Sequence, residues 1–468
     1  MKSFNASRRV FLRTSSLLGA LAPSAAPFAL NLAAMGTAAA QSASDYRALV
    51  CLFMFGGNDS GNMVVATDPD SWSEYTRMRT GGMQLGAPGA DNGLLAINPA
   101  TAQAGRSFGL HPRMIDAKAS FDAGNTAVIA NVGPLIVPTT RAQYRDRSVP
   151  LPPNLFSHND QQSTWQAHLP EGAQYGWGGR MGDLLAGLNT TQSFTCISAS
   201  GNAVWLSGEN TVQFRVGANG SSAIGGLEGS LFGSSRGADD FRYLLTRPHA
   251  HLLEESHASV TRRSLAAQAL LNASMLPVEA VDPVPTLSNG QANGVARQLQ
   301  TVARIIGGRS SLGARRQVFF VSMGGFDTHS NQPNTHANLM EQLSQGLAYF
   351  NQVMANPQVN AANEATLFTA SDFGRTLTSN GDGTDHGWGA HHFVTGGAVR
   401  GGDIYGRFPT TGQDNDDYVG SGRLLPGLSV DQYGGTLARW FGVSEAELDG
   451  IFPSLGNFAT RDLGFMGA

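Results

Sequence analysis

Four stretches of this sequence concentrate the side chains that hold divalent metals. They are GGNDSGN with Asp59, GGFDTHSNQ with Asp327 and His329, SDFGRT with Asp372, and GTDHGWGAHH with Asp385, His386, His391 and His392. Three of the chain's 11 histidines fall within the seven residues 386–392. Carboxylate oxygens and imidazole nitrogens together form the ligand set of zinc, manganese or a similar divalent ion. An Asp at a strand-to-helix turn is, taken alone, an ordinary helix cap. The company of His329 and His386 turns the reading towards a metal.

Those stretches follow strand-like runs. ALVCLFMF (48–55), TAVIANVG (126–133), SFTCISAS (193–200), QVFFVSM (317–323) and TLFTAS (366–371) are continuously apolar rather than alternating, as suits strands buried on both faces of a parallel sheet. Helical patterns intervene near 110–123, 159–168, 178–188, 250–275, 292–306 and 333–355, the last opening with a proline. Strands alternating with helices predict an α/β fold with a doubly wound, mostly parallel sheet and helices on both faces. In such sheets ligands bind in the crevice beyond the carboxyl ends of the strands, where the loops bearing Asp59, Asp327 and Asp372 converge. Residues 199–240 are rich in Gly and Ser and read as an inserted hairpin or lid; 277–291 reads as a linker. The expected organisation is one α/β domain over 41–468 with a Gly/Ser-rich insertion near 199–290.

The first forty residues have another role. Arg8 and Arg9, then Phe11 and Leu12, a mildly apolar stretch broken by Pro23 and Pro27, and small residues at 38–40 have the order of a cleaved signal peptide. Ser-Arg-Arg-Val-Phe-Leu resembles the twin-arginine consensus, which implies export of a folded chain by the twin-arginine translocase to the periplasm or beyond. Lys2, Arg8, Arg9 and Arg13 leave with that segment, so the net charge of −4 becomes −8 in the mature part. Sparse, scattered basic residues argue against nucleic acid as a partner, and no later segment is apolar and long enough to span a bilayer. Cys51 and Cys196 each sit within an apolar run and read as buried free thiols, although an oxidising compartment would permit a disulfide.

FGGNDSGNMVV, GLHPRM, FSHNDQQSTWQ, GGFDTHSNQ, FTASDFGRT, TDHGWGAHHFVTGGAVRGGDIYG and LARWFGVSEAELDGIFPSL, in this order behind a twin-arginine start, resemble the bacterial family called domain of unknown function 1501. That family in turn looks like a distant branch of the alkaline phosphatase and sulfatase superfamily, which implies an alkaline phosphatase-like fold and a one- or two-metal hydrolytic site. Carried over residue by residue, the resemblance implies Asp59 as the first-strand ligand, Asp327 and His329 as ligands of the other metal, Asp372 as the Asp after a later strand, and His386 as the last His. The superfamily often places His directly after that later Asp. Here Phe373 stands there, so a second metal site is in question, and Asp385 with His386, followed by His391 or His392, is an alternative pairing.

The resemblance also implies a nucleophile at a helix start, where the dipole and free N–H groups favour an anion. Ser157, also readable as an N-cap, fits that place, with Ser60 as a second candidate and His158 within reach of the metal. Neither cysteine lies in a C-x-P-S-R motif, which argues against formylglycine chemistry. Arg375 could clamp anionic oxygens with its planar fork, or pair with a nearby carboxylate such as Asp372. The function expected is a metal-dependent hydrolase of phosphate or sulfate esters using zinc, manganese, calcium or magnesium. The alternative is an exported binding or assembly protein that keeps a structural metal.

Overall fold

The continuous apolar runs form the centre of a nine-stranded sheet. The computed structural model describes residues 46–467 apart from 219, 222, 223, 228 and 235; the expected export signal at 1–40 lies outside them. The strands are β1 (Arg47–Met54), β2 (Thr126–Gly133), β3 (Cys196–Ser198), β4 (Phe214–Arg215), β5 (Arg316–Met323), β6 (Ala365–Ser371), β7 (Ala390–Thr395), β8 (Ile404–Tyr405) and β9 (Leu428–Ser429). They pair in the order β8-β2-β7-β6-β1-β5-β3-β4, with β9 also alongside β2. Every pairing is parallel except the two made by β7. This is the mostly parallel sheet that the sequence predicts.

β7 is not among the predicted strands; AHHFVT carries two histidines, one of them an alternative last ligand in the sequence reading. The structure buries both in the sheet. His391 accepts the Asn131 N–H at its Nδ1 (3.0 Å), and His392 Nδ1 lies 3.3 Å from the Thr369 hydroxyl. Burial pushes both imidazoles down to about 3, so they stay neutral inside the fold.

Helices cover both faces. Along β1, Ala48, Val50, Leu52 and Met54 share one core cluster with Val295, Leu299 and Val302 of α3 (Gly294–Gly307) and Met340, Leu347 and Phe350 of α4 (Gln332–Ala355). On the other face Phe53 packs on Phe320, and the rings of Phe320 and Phe368 meet Trp177, Trp205 and Tyr433, the last from α5 (Val430–Phe441). Each such side chain contributes about 1.5–3 kcal/mol on full burial. Because both faces are covered, the strands have no polar side to display, and alternation is absent from their sequences.

Two helices matter chiefly for what their ends hold: α1 (Pro69–Met78), which ends at Arg79, and α2 (His158–Ala167), which Ser157 precedes. The region 199–290 holds β4 and the helices Gly237–Thr246 and Leu252–Ser274. No helix of the described residues is long and apolar enough to cross a membrane. Cys51 and Cys196 are buried free thiols.

Candidate metal centre

β6, β1 and β5 are neighbours, and their carboxyl ends are level: Met54 pairs with Met323 on one side and Ser371 on the other. The three acid-bearing loops therefore begin side by side. After β1 the chain turns through Gly56 (φ 114°) and Gly57 (φ 82°), conformations that side chains resist. A Cβ at Gly56 would lie 2.3 Å from the Asp327 backbone nitrogen, and one at Gly57 would strike the Phe373 ring at the same distance. The turn is thus wedged between the loops that follow β5 and β6. Ser371 Oγ donates to the Met54 carbonyl (2.7 Å) and accepts the Asn58 N–H (2.9 Å), locking two of these loops together.

Three imidazoles gather around one carboxylate oxygen. Asp327 Oδ1 lies 3.0 Å from His329 Nε2, 3.4 Å from His158 Nε2 and 3.5 Å from His386 Nε2, and His329 and His386 face each other across 2.9 Å. His158 Nδ1 is 2.6 Å from Asp372 Oδ2, and His386 Nδ1 is 2.8 Å from the Phe156 carbonyl. A carboxylate and a carbonyl only accept, so both rings carry a proton on Nδ1. In the neutral tautomers each Nε2 is then a bare lone pair aimed at Asp327. His329 Nδ1 lies 3.4 Å from Asp385.

Charges tune these groups in different directions. The hydrogen bond to Asp372 raises His158 above the ordinary histidine range, with burial working against it. Burial lowers His386, against the pull of the Phe156 carbonyl. Burial alone would raise Asp327, but the Arg375 hydrogen bond and charge outweigh it and hold the carboxyl below its usual value.

The arrangement fits a divalent cation. His158 Nε2 is buried without a hydrogen-bond partner, 3.4 Å from a carboxylate oxygen that also cannot donate. With His158 in its neutral form, two acceptors held this way suit a positive charge between them. Tetrahedral ligands at about 2.0–2.1 Å from zinc sit roughly 3.4 Å from one another, close to the separations here. Histidines whose outer nitrogen is fixed by a carboxylate or carbonyl are the usual supporting arrangement of metal ligands.

The family described as "Protein of unknown function (DUF1501)" matches residues 46–443. The chain belongs to this family. No curated protein matches it. Among solved structures it is similar to Ps i-CgsB, solved in complex with k-i-k-neocarrahexaose, at 10% identity over 88% of this chain and 77% of that one, with a TM-score of 0.35. It is also similar to the alkaline phosphatase of the Antarctic bacterium TAB5, at 10% identity over 76% of this chain and 92% of that one, with a TM-score of 0.22.

In this DUF1501 chain the expected site residues separate into two sets. Asp327, His329 and His386 come together, joined by His158, which the sequence reading placed only within reach. Asp372 stands one step behind, its Oδ2 taking the Gly56 N–H (3.1 Å) and the Gln162 amide (2.8 Å) besides His158. Asp59 stands apart from the imidazoles. It is fully buried, its two oxygens are bridged by Arg79 at 2.6 and 2.9 Å, and Gln332 donates to it as well. An aspartate bridged by a guanidinium fork is anchored by it, so the structure places Asp59 with Arg79 rather than with the imidazoles expected beside it. Arg375 is likewise no open clamp. Its side chain is fully buried, Nη1 donates to Asp327 (2.8 Å) and the Gly56 carbonyl (3.1 Å), and its other nitrogens donate to Thr384. Its carboxylate partner is Asp327 rather than Asp372.

Ser157 takes the N-cap position of α2 but makes no capping bond; its hydroxyl donates to Asp160 at 2.7 Å. Ser60 is buried in the turn behind Asp59. The Phe373 ring packs 4.8 Å from both His158 and His386, an apolar wall directly after Asp372. Sequence reasoning missed Arg79, Gln162, Gln332 and Thr384. Gln162, Gln332 and Thr384 lie inside FSHNDQQSTWQ, GGFDTHSNQ and GTDHGWGAHH, whereas Arg79 lies in none of the motifs.

Proposed function

We propose that this chain is an exported, metal-dependent hydrolase of phosphate or sulfate esters, built around one divalent ion. The observation that carries the reading is the convergence of His158, His329 and His386 Nε2 on Asp327 Oδ1 at the carboxyl ends of β1, β5 and β6. His158, Asp327 and His386 would hold the ion, with His329 beside them. Once loaded, such a site supplies polarisation of an ester oxygen and a lowered pKa for a bound water or hydroxyl. The chain's own residues prepare that site. Asp372 and the Phe156 carbonyl fix the tautomers of His158 and His386, Arg375 holds Asp327 by charge and hydrogen bond, and Phe373 keeps water from one side of the rings. Ser157, next to His158, is the candidate nucleophile, with its proton donated to Asp160. Export by the twin-arginine translocase, with cleavage after Ala40, belongs to the same proposal.

The reading is tested by the metal content of the exported protein and its turnover of aryl phosphate, phosphodiester and sulfate substrates with zinc, manganese, calcium or magnesium added. Asp327→Ala is expected to abolish both metal retention and turnover. A protein that takes up no divalent metal, with any activity untouched by that substitution, would end it. Metal retained without turnover on any ester class supports the second reading, a binding or assembly protein with a structural metal. The burial and commitment of Arg375, which otherwise would meet an anion, favour that second reading.

A further inference from the structure

We propose that the cavity beside the His158–Asp327–His386 group is a cleft for an anionic sugar chain, an oligosaccharide bearing several sulfate or phosphate esters, one of which reaches the group. This rests on the hydrolase reading and extends it to a substrate class.

The cavity measures about 890 Å³ and is lined by Arg141, Tyr144, Arg145, Arg147, Leu151 and Phe156 among others, with no acidic residue in its lining. That is near the upper end of the roughly 300–1,000 Å³ that enclose a drug-sized ligand, more than a single monoester fills. The chain's 31 basic residues among 468 average about half a residue per seven, yet three line this cavity within residues 141–147. Such a concentration in an acidic protein focuses a local positive field. Arg141 is tied to the Asn415 carbonyl, Arg145 pairs with the exposed Asp146, and Arg147 has no ion-pair partner among the described residues. Guanidinium forks take sulfate and phosphate oxygens alike. Tyr144 and Phe156, both partly exposed, add ring surface of the kind that packs on the C–H faces of pyranoses.

Phe156 joins this cavity to the metal centre. Its ring lines the cavity while its carbonyl holds His386 Nδ1 at 2.8 Å. It does so from a left-handed backbone conformation (φ 74°), one that a bulky aromatic residue adopts only under constraint. The constraint is visible: Arg423 lies over the ring at 4.5 Å from its centroid and donates to the His386 carbonyl at 2.9 Å. A strained residue is thus fixed where an extended ligand would pass from the arginines to the imidazoles.

The test is calorimetric titration of the full mature chain with dextran sulfate and with a phosphorylated mannan, against neutral dextran of the same size and a single-stranded oligonucleotide. Salt-dependent binding of either anionic sugar supports the cleft and identifies the ester it prefers. The charge reversals R145E and R147E together, at two exposed positions, should weaken that binding at least tenfold and leave any turnover of small aryl esters unchanged. Equal binding of neutral dextran, tighter binding of the oligonucleotide, or undiminished affinity in the double variant would overturn the proposal. Absent turnover with binding intact would refute only the hydrolase reading, whereas small-ester turnover without polymer binding would refute only the cleft.

Discussion

Asp372 supports the candidate centre through the partners of one carboxylate oxygen, and the centre depends on which atoms it presents. One oxygen receives a backbone N–H, an amide and an imidazole N–H together. Asp372→Asn keeps the volume but cannot face all three donors with one carbonyl oxygen unless its own amide is turned away. His158 then loses the bond that fixes its tautomer. Loss of such a supporting partner costs roughly 10- to 100-fold in metal affinity, and we expect that loss in a competitive chelator titration, with the circular dichroism spectrum unchanged. Unaltered affinity would show that Asp372 serves packing alone. At this scale the convergence of the motif residues Asp327, His329 and His386 was legible, because Asp and His recur together in these motifs. His158 was harder to read, since one His at a helix start has no distinguishing neighbour in sequence.

The turn after β1 and the end of α1 are the elements that set the geometry. At Gly56 the backbone of the Asp327 loop leaves no room for a Cβ, and φ is in the left-handed region. Gly56→Ala should therefore destabilise by about 2 kcal/mol or more, since neither backbone can yield cheaply. Chemical denaturation should show the loss, and metal retention should fall with it because Asp327 is displaced. The Arg79–Asp59 pair gives a second expectation. Arg79→Met strands a buried carboxylate and should cost about 3–5 kcal/mol, while adding Asp59→Asn should recover part of it. An additive double variant would mean that the pair is not coupled. The pair also reaches the metal centre. Gln332 donates to Asp59 and accepts from Thr384 (2.6 Å), which accepts from Arg375 (3.2 Å), which holds Asp327. The motif around Asp59 was visible in the sequence, but its partner twenty residues on was not.

Across the whole molecule, buried histidines tie stability to pH. Burial depresses His391 and His392 to about 3 and His336 to about 4, against an ordinary value near 6.5. Below pH 6.5 the unfolded chain takes up protons at these positions that the folded chain refuses. Stability is therefore complete above pH 6.5 and declines as the pH falls towards 4 and then 3. Each group contributes a slope of about 1.4 kcal/mol per pH unit in that window. Thermal unfolding followed from pH 7.5 to 4.5 should show a falling Tm, and His391→Asn should make the fall shallower by one proton. A Tm flat across this range would mean that these histidines are protonated in the folded state.

The sequence by itself determined the class of fold and the side-chain types gathered at the candidate site. Continuous apolar runs such as ALVCLFMF must be buried on both faces, and a parallel sheet between helices does that. Asp and His repeated at the ends of such runs restrict the candidate site to groups of the kind that can bind metal. Only the tertiary structure decided which of those groups meet. Asp59 and Asp327 read alike in sequence, each following a Gly-Gly turn after a strand, but Arg79 lies against one and three imidazoles against the other. His391 or His392 read as an alternative last ligand, and both are buried in a sheet strand. The physical reason is common to both cases. A side chain's type is local, whereas its charge partner and its share of solvent are set by segments far away in the chain that fold up against it.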